Sequence, residues 1–129
     1  MATFDWQALC RRTKGMSVDG EIATIELGSD RKQRVTVKRF DETIEFTSMV
    51  VRSATLDSLR RQTDVEIHAW RRNRSSQRVG FGFDAKGHLV AKAWIPLAGI
   101  TPEEFLKCLR HVAVEADLFE YQLTGKDRE

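Results

Sequence analysis

Residues 34–51 read RVTVKRFDETIEFTSMVV. Two runs rich in β-branched and aromatic residues flank the polar pair Asp41-Glu42. Val35 and Val37 alternate with Thr36 and Lys38, and Ile44 and Phe46 alternate with Glu45 and Thr47. A period of two marks strands with one buried face. With Asp41-Glu42 as the turn, 39 faces 44, 37 faces 46 and 35 faces 48. One face then carries Val35, Val37, Ile44, Phe46 and Val50. The other sets Thr36 beside Thr47 and Lys38 beside Glu45, which are favourable cross-strand partners. A slip of one residue would exchange the faces, so the pattern selects this register. Asp-Glu is not among the dipeptides that tight turns favour, so the turn itself is the weaker part of the reading.

A second hairpin lies further on. VGFGFD (79–84) and HLVAKAWIPL (88–97) flank Ala85-Lys86-Gly87. A three-residue loop ending in glycine suits a type I turn followed by a left-handed residue. It pairs 84 with 88, 83 with 89, 81 with 91 and 79 with 93. Val79, Phe81, Phe83, Leu89, Ala91, Ala93 and Ile95 then share the expected core face. Gly80, Gly82, Val90, Lys92 and Trp94 share the other.

Helical spacing separates and flanks these hairpins. Leu56, Leu59, Thr63, Ile67 and Trp70 recur at steps of three and four, which predicts a helix over about 55–73. Thr101-Pro102-Glu103-Glu104 supplies an N-cap, a proline at the first helical position and a capping-box glutamate. Phe105, Leu109, Val112, Ala116, Phe119 and Leu123 continue it as a stripe, so a helix spans 101–123. Gly125 ends it, and 126–129 form a polar tail. A short helix is expected over 3–14, with Thr3 as N-cap and Trp6, Leu9 and Cys10 on one side. Residues 21–27 read as a strand broken by Gly28-Ser29-Asp30. The predicted order is α-β-β-β-α-β-β-α, an α+β fold with a twisted antiparallel sheet in one domain over 1–129.

Composition excludes several classes. The 129 residues are 41% hydrophobic and 31% charged, with 21 Lys and Arg against 19 Asp and Glu. That is too apolar and too balanced for a disordered chain. No apolar run approaches the roughly 20 residues of a membrane helix, so no membrane insertion is expected. MATFDWQALC lacks the long apolar core of a signal peptide, which points to a cytoplasmic location. Near-neutrality hides a polarity. Residues 1–40 carry eight basic and five acidic side chains, whereas 101–129 carry four and seven. Such an asymmetry can orient two subunits or a charged partner.

In order, the segments Asn73-Arg74-Ser75, Val79-Gly80-Phe81-Gly82-Phe83-Asp84, Leu89-Val90, Ile95-Pro96-Leu97, Thr101-Pro102-Glu103-Glu104-Phe105 and Ala116-Asp117-Leu118-Phe119-Glu120 give this chain a family likeness. It resembles the bacterial YbjN family, which is similar in fold to type III secretion chaperones. The motifs concentrate between about 66 and 123 and are mostly caps, hairpin glycines and core aromatics. The resemblance implies an interaction domain, often dimeric, with no agreed enzymatic activity and no catalytic residue to carry over.

The residues themselves supply little chemistry. Cys10 and Cys108 sit beside apolar neighbours and read as buried free thiols. His68, His88 and His111 lack His or Cys partners at metal-ligand spacing, so no metal and no cofactor is expected. Asp64 before His68 and Glu115 after His111 read as surface contacts rather than tuned bases. His88 is expected to pair with Asp84 across the hairpin. VGFGFDAKG lies inside a hairpin, whereas a dinucleotide fingerprint opens a helix. An enzyme is therefore not expected, although carboxylates brought together by folding are invisible at this level.

Two surfaces stand out. Arg71, Arg72, Arg74 and Arg78 crowd into eight residues, which admits a nucleic-acid or phosphate-ligand site as the alternative function. The small net charge and the single flanking aromatic, Trp70, weigh against nucleic acid. The other surface is the outer face of the hairpins. Met49, Val51, Val90 and Trp94 would form an apolar patch beside two glycines, with Arg71, Arg74 and Arg78 as a charged rim and Arg78 opposite Trp94. Such a patch marks a subunit interface or a peptide site. The competing reading is that Trp6 and Leu9 of the N-terminal helix cover it. The leading expectation is a non-enzymatic, chaperone-like module that binds a protein or peptide partner and forms a homodimer.

Overall fold

The computed structural model describes residues 4–28, 30–76 and 78–125. Thr3, Ser29, Gln77 and the polar tail, on which expectations above fall, lie outside the described residues. Among the described residues four helices and six strands follow in the order α1 (Trp6–Arg11), β1 (Met16–Asp19), β2 (Ile22–Glu26), β3 (Lys32–Phe40), β4 (Thr43–Val51), α2 (Ser53–Leu59), α3 (Val65–Ser75), β5 (Gly80–Phe83), β6 (Leu89–Pro96) and α4 (Pro102–Thr124). All strand pairs are antiparallel, and the sheet order is β1-β2-β3-β4-β6-β5. The fold is α+β.

Both hairpins hold the expected registers. Val37 faces Phe46, Lys38 faces Glu45 and Arg39 faces Ile44. Phe81 faces Ala91 and Phe83 faces Leu89. The Asp41-Glu42 turn forms, with Asp41 at φ +46°. An aspartate tolerates that left-handed region better than a bulky residue would. β3 serves two neighbours along its length: residues 32–36 pair with β2 and 36–40 with β4. Where β3 and β4 part, side chains bridge the gap. The buried Ser48 hydroxyl donates to the Arg34 carbonyl at 2.7 Å, and Gln33 Nε2 donates to Ser48 Oγ and to the Met49 carbonyl, each at 2.8 Å.

The core lies between one sheet face and α4. Ala23, Ile25, Val35, Val37, Ile44 and Phe46 meet Phe105, Leu109, Val112, Ala116 and Phe119. Phe105 centres an aromatic group, with Phe46 at 5.2 Å, Phe4 at 5.3 Å and Trp6 at 5.9 Å between ring centroids. Its full burial contributes about 2–3 kcal/mol. α4 starts as its sequence demands: the Thr101 hydroxyl accepts from the Glu104 N–H at 3.1 Å. Gly125, at φ +64°, closes it in the left-handed conformation that suits a glycine.

Four expectations change. Met16–Asp19 forms a strand on β2, turning through Gly20 at φ +61°. The helix expected over 55–73 is two helices, because Asp64 caps a new start by accepting from the Ile67 N–H at 3.1 Å. The register of α3 then buries Val65 and Ala69 and turns Ile67 and Trp70 outward. α1 is shorter than expected and is capped by Asp5. Phe83, at the end of β5, is exposed beneath the Arg60 guanidinium instead of joining the core.

Candidate protein-binding face

α1, α3 and α4 leave the Lys38–Lys92–Trp94 part of one sheet face exposed. α4 lies on the core face, and α1 joins it there, since Leu9 is in the core and Trp6 stacks toward Phe105. α3 sits at the β5 edge, where Asn73 bonds both peptide groups of Phe81. The reading in which Trp6 and Leu9 cover the outer face is therefore corrected. Along that face Lys38, Lys92 and Trp94 are exposed, and Thr36, Glu45 and Thr47 are half-buried.

The expected apolar residues do not all share this surface. Among the described residues Trp94 is the most open large apolar side chain, at 65% exposure, and Met49 is also exposed. Val51 and Val90 are each only 4% exposed. A register shift between Met49 and Val51 explains the first, because an extra residue turns Val51 to the core side, opposite Leu89. Val90 stays on the outer side, between Met49 and Gly82 in the ladders, yet is buried. The Thr47–Lys92 row separates Met49 from Trp94, so the patch has two apolar points rather than one continuous stripe.

Trp94 stands at a step in the sheet. Leu97 N–H donates to the Glu42 carbonyl at 2.7 Å, and Asp84 N–H donates to the His88 carbonyl at 2.9 Å. Bonding directions alternate along an antiparallel strand, so the peptide groups of Trp94 point to the β5 side. β5 ends at Gly80, opposite Lys92. The result is a concavity of about 740 Å³ at the β6 edge beside Trp94, lined by Arg78, Gly80, Glu45 and Lys92 and reaching round the edge to Ala93, Ile95, Glu104 and Cys108 on the α4 side. Glycine at 80 leaves it open, and Lys92 reaches Glu45 at 3.9 Å. Its floor is apolar and its walls carry both charge signs. That composition suits a peptide held by main-chain and side-chain contacts.

The arginines diverge. Arg72 turns inward, 4.9 Å over the Phe119 ring and 3.3 Å from Glu115. Arg74 lies 5.0 Å over the exposed Trp70 ring. Arg71 is exposed on α3, and Arg78 is the member of the run that lines the concavity with Trp94. Guanidinium stacking thus falls on Trp70, Phe81, Phe83 and Phe119, not on the expected Arg78–Trp94 pair.

The remaining polar candidates act within the fold. His88 pairs with Asp84 as expected, through its backbone N–H and carbonyl, while its ring Nδ1 accepts from the Ser53 N–H at 2.9 Å and so caps α2. Burial opposes ionisation of Asp84, but its carboxyl accepts N–H bonds from Lys86 and His88, which hold it below the usual carboxylate range. His68 bonds Thr63 and Gln122 at 3.0 and 3.2 Å, while Asp64 is occupied as a cap. Burial pushes the thiols of Cys10 and Cys108 each up to about 11, where nucleophilic thiolate is scarce. Among the described residues no group of three or more His, Cys, Asp or Glu is placed to hold a metal. Nor is any helix among them long and apolar enough to cross a membrane.

No family model and no curated protein matches this sequence. Solved structures do match in fold. The chain is similar to E. coli YbjN, described as a candidate transcription regulator, at TM-score 0.59 and 20% identity, over 86% of this chain and 83% of that one. It is similar to a chain of the ExsC–ExsE complex at TM-score 0.53 and 21% identity, over 92% of each chain. It is similar to a chain of the ExoU–SpcU complex of the Pseudomonas aeruginosa type III secretion system at TM-score 0.55 and 16% identity, over 78% of this chain and 81% of that one. The fold is therefore that of YbjN and the type III secretion chaperones.

Proposed function

We propose that the chain is a single-domain, cytoplasmic, non-enzymatic binding module, which as a homodimer holds an extended or partly folded segment of another protein. The open outer face of the sheet carries this reading, with Trp94 at its step. Trp94 and Met49 supply apolar anchors, Arg78 supplies a basic wall beside Trp94, and Arg71 and Arg74 stand on α3 at the β5 edge. Val90 packs on the outer side between Met49 and Gly82, and Val51 supports the sheet from the core side. The open peptide groups of Trp94 offer main-chain pairing without any sequence requirement, and the side-chain anchors provide selectivity. The fold likeness supports the same class, since two of the similar structures are protein–protein complexes.

Affinity capture from the native cell, followed by mass spectrometry, tests it. The wild type and the Trp94→Ala/Met49→Asp double variant serve as baits. The double variant is expected to keep its circular dichroism spectrum and lose the proteins that the wild type retains. An unchanged set of captured proteins sinks this surface. A gel shift of RNA or DNA at ~50 mM salt that fades steeply with added salt would transfer the function to the Arg71–Arg78 run instead.

A further inference from the structure

The core side of β3 reads Val35, Val37 and then Arg39. Arg39 stands opposite the buried Ile44, yet it is itself exposed. A charged side chain at a core-side register position needs a physical reason. At this end of the sheet the core face opens into a cavity of about 420 Å³. Val37, Ile44 and Leu97 form its aliphatic side, and Phe4 and Trp6 its aromatic side. Other contacts already hold these walls in place. Phe4 and Trp6 pack against Phe105, at 5.3 and 5.9 Å between ring centroids. Leu97 N–H donates to the Glu42 carbonyl at 2.7 Å. Gln7, which also lines the cavity, donates to the Gly20 carbonyl at 3.3 Å.

We propose that this cavity is a small-molecule site for a monocarboxylate with an apolar body, an aryl alkanoate or a medium-chain fatty acid, whose carboxylate pairs with Arg39. The site lies on the core side of the sheet and is separate from the protein-binding reading, which uses the outer side. Charge selects the acid. The charged residues of the lining are Lys38, Arg39 and Asp5. Lys38 belongs to the outer side, where it faces Glu45 across the ladder. Asp5 is engaged as the cap of α1, its carboxyl accepting the Ala8 N–H at 3.0 Å. Arg39 has no ion-pair partner among the described residues. An uncommitted guanidinium presents a planar fork of donors that a carboxylate takes in bidentate fashion. Asp5 repels a second negative charge in the same space, which favours a singly charged head over a phosphate. The volume falls toward the lower end of the roughly 300–1000 Å³ of small-molecule pockets, which suits a single ring or short chain. Walls that are already in place lower the ordering cost of binding.

Trp6 reports on occupancy. The double variant Trp70→Phe/Trp94→Phe changes two exposed positions and leaves Trp6 as the only tryptophan. Phenylbutyrate and octanoate are titrated into the full-length double variant, with phenylbutanol and phenylbutylamine as controls that share the aryl body. The acids are expected to change Trp6 emission saturably, with half-saturation below ~1 mM, and the alcohol and amine to bind about tenfold more weakly or worse. In the isotope-labelled wild type, phenylbutyrate is expected to shift the amide resonances of Val37, Ile44 and Leu97 and to leave those of Met49 and Trp94 in place. Arg39→Gln, at an exposed position, is expected to keep the circular dichroism spectrum and to bind acid and alcohol alike. A merely structural role for Arg39 would leave their ratio unchanged. Equal binding of acid and alcohol by the wild type would make the cavity a plain apolar crevice and overturn the proposal. So would a preference for the amine, an acid preference that survives Arg39→Gln, or resonance shifts centred on Trp94. Absence of saturation by either acid at ~10 mM overturns it as well.

Discussion

Asn73 stands near the end of α3 with its carboxamide against the backbone of Phe81. It accepts the Phe81 N–H at 2.7 Å and donates to the Phe81 carbonyl at 2.9 Å. A neighbouring strand would take the same two groups, so one side chain closes part of the β5 edge. Phe81 is buried, and removing the carboxamide leaves both groups without those bonds. Asn73→Ala is expected to cost about 1–3 kcal/mol in urea denaturation and to make the chain more prone to associate through β5. Asn73→Asp keeps the acceptor and loses the donor, so its cost falls between wild type and Ala. A stability unchanged within about 0.5 kcal/mol in Asn73→Ala would mean the contact is incidental. Roles of this kind are hard to read in sequence. Asn73 looks like a helix-end polar residue, and His88 shows nothing of its cap on Ser53, 35 positions away. Cys10 and Cys108 were readable as inert because burial follows from their apolar neighbours alone.

The elements divide by how local their causes are. Both hairpins were legible, register included, because their alternation and turns lie within about 20 residues of sequence. α4 was legible because its cap, stripe and terminal glycine are contiguous. β1 was missed: four residues, Met16–Asp19, are too short to display a period and become a strand only by pairing with β2. The middle helix was misread because its apolar residues, summed across a break, imitate one stripe. Asp64 held the correction, as an N-cap rather than a partner for His68. That assignment has a consequence. If α3 starts at Val65, then Ile67 and Trp70 face solvent, and Ile67→Lys and Trp70→Lys should each shift stability by no more than about 0.5 kcal/mol. Ala69→Lys, which forces a charge into the core face, should cost several kcal/mol. Thermal melts of the three variants separate the two registers: one continuous helix with the predicted stripe would make Ile67→Lys and Trp70→Lys the damaging pair.

At the scale of the whole molecule, the basic start and the acidic end of the chain meet within one protomer. Arg31, between β2 and β3, pairs with Asp117 of α4 across 86 positions, and Arg72 of α3 pairs with Glu115. Part of the polarity legible in the sequence is therefore spent on joining the layers. If the dimer of the functional reading leaves the Trp94 surface free, Trp94→Ala should reduce partner capture and keep the dimer dissociation constant within about twofold. Isothermal titration and analytical ultracentrifugation of wild type and variant measure both quantities. A dimer weakened by Trp94→Ala would place the subunit contact on the sheet, because a surface already used for pairing two copies is not free to hold a third chain.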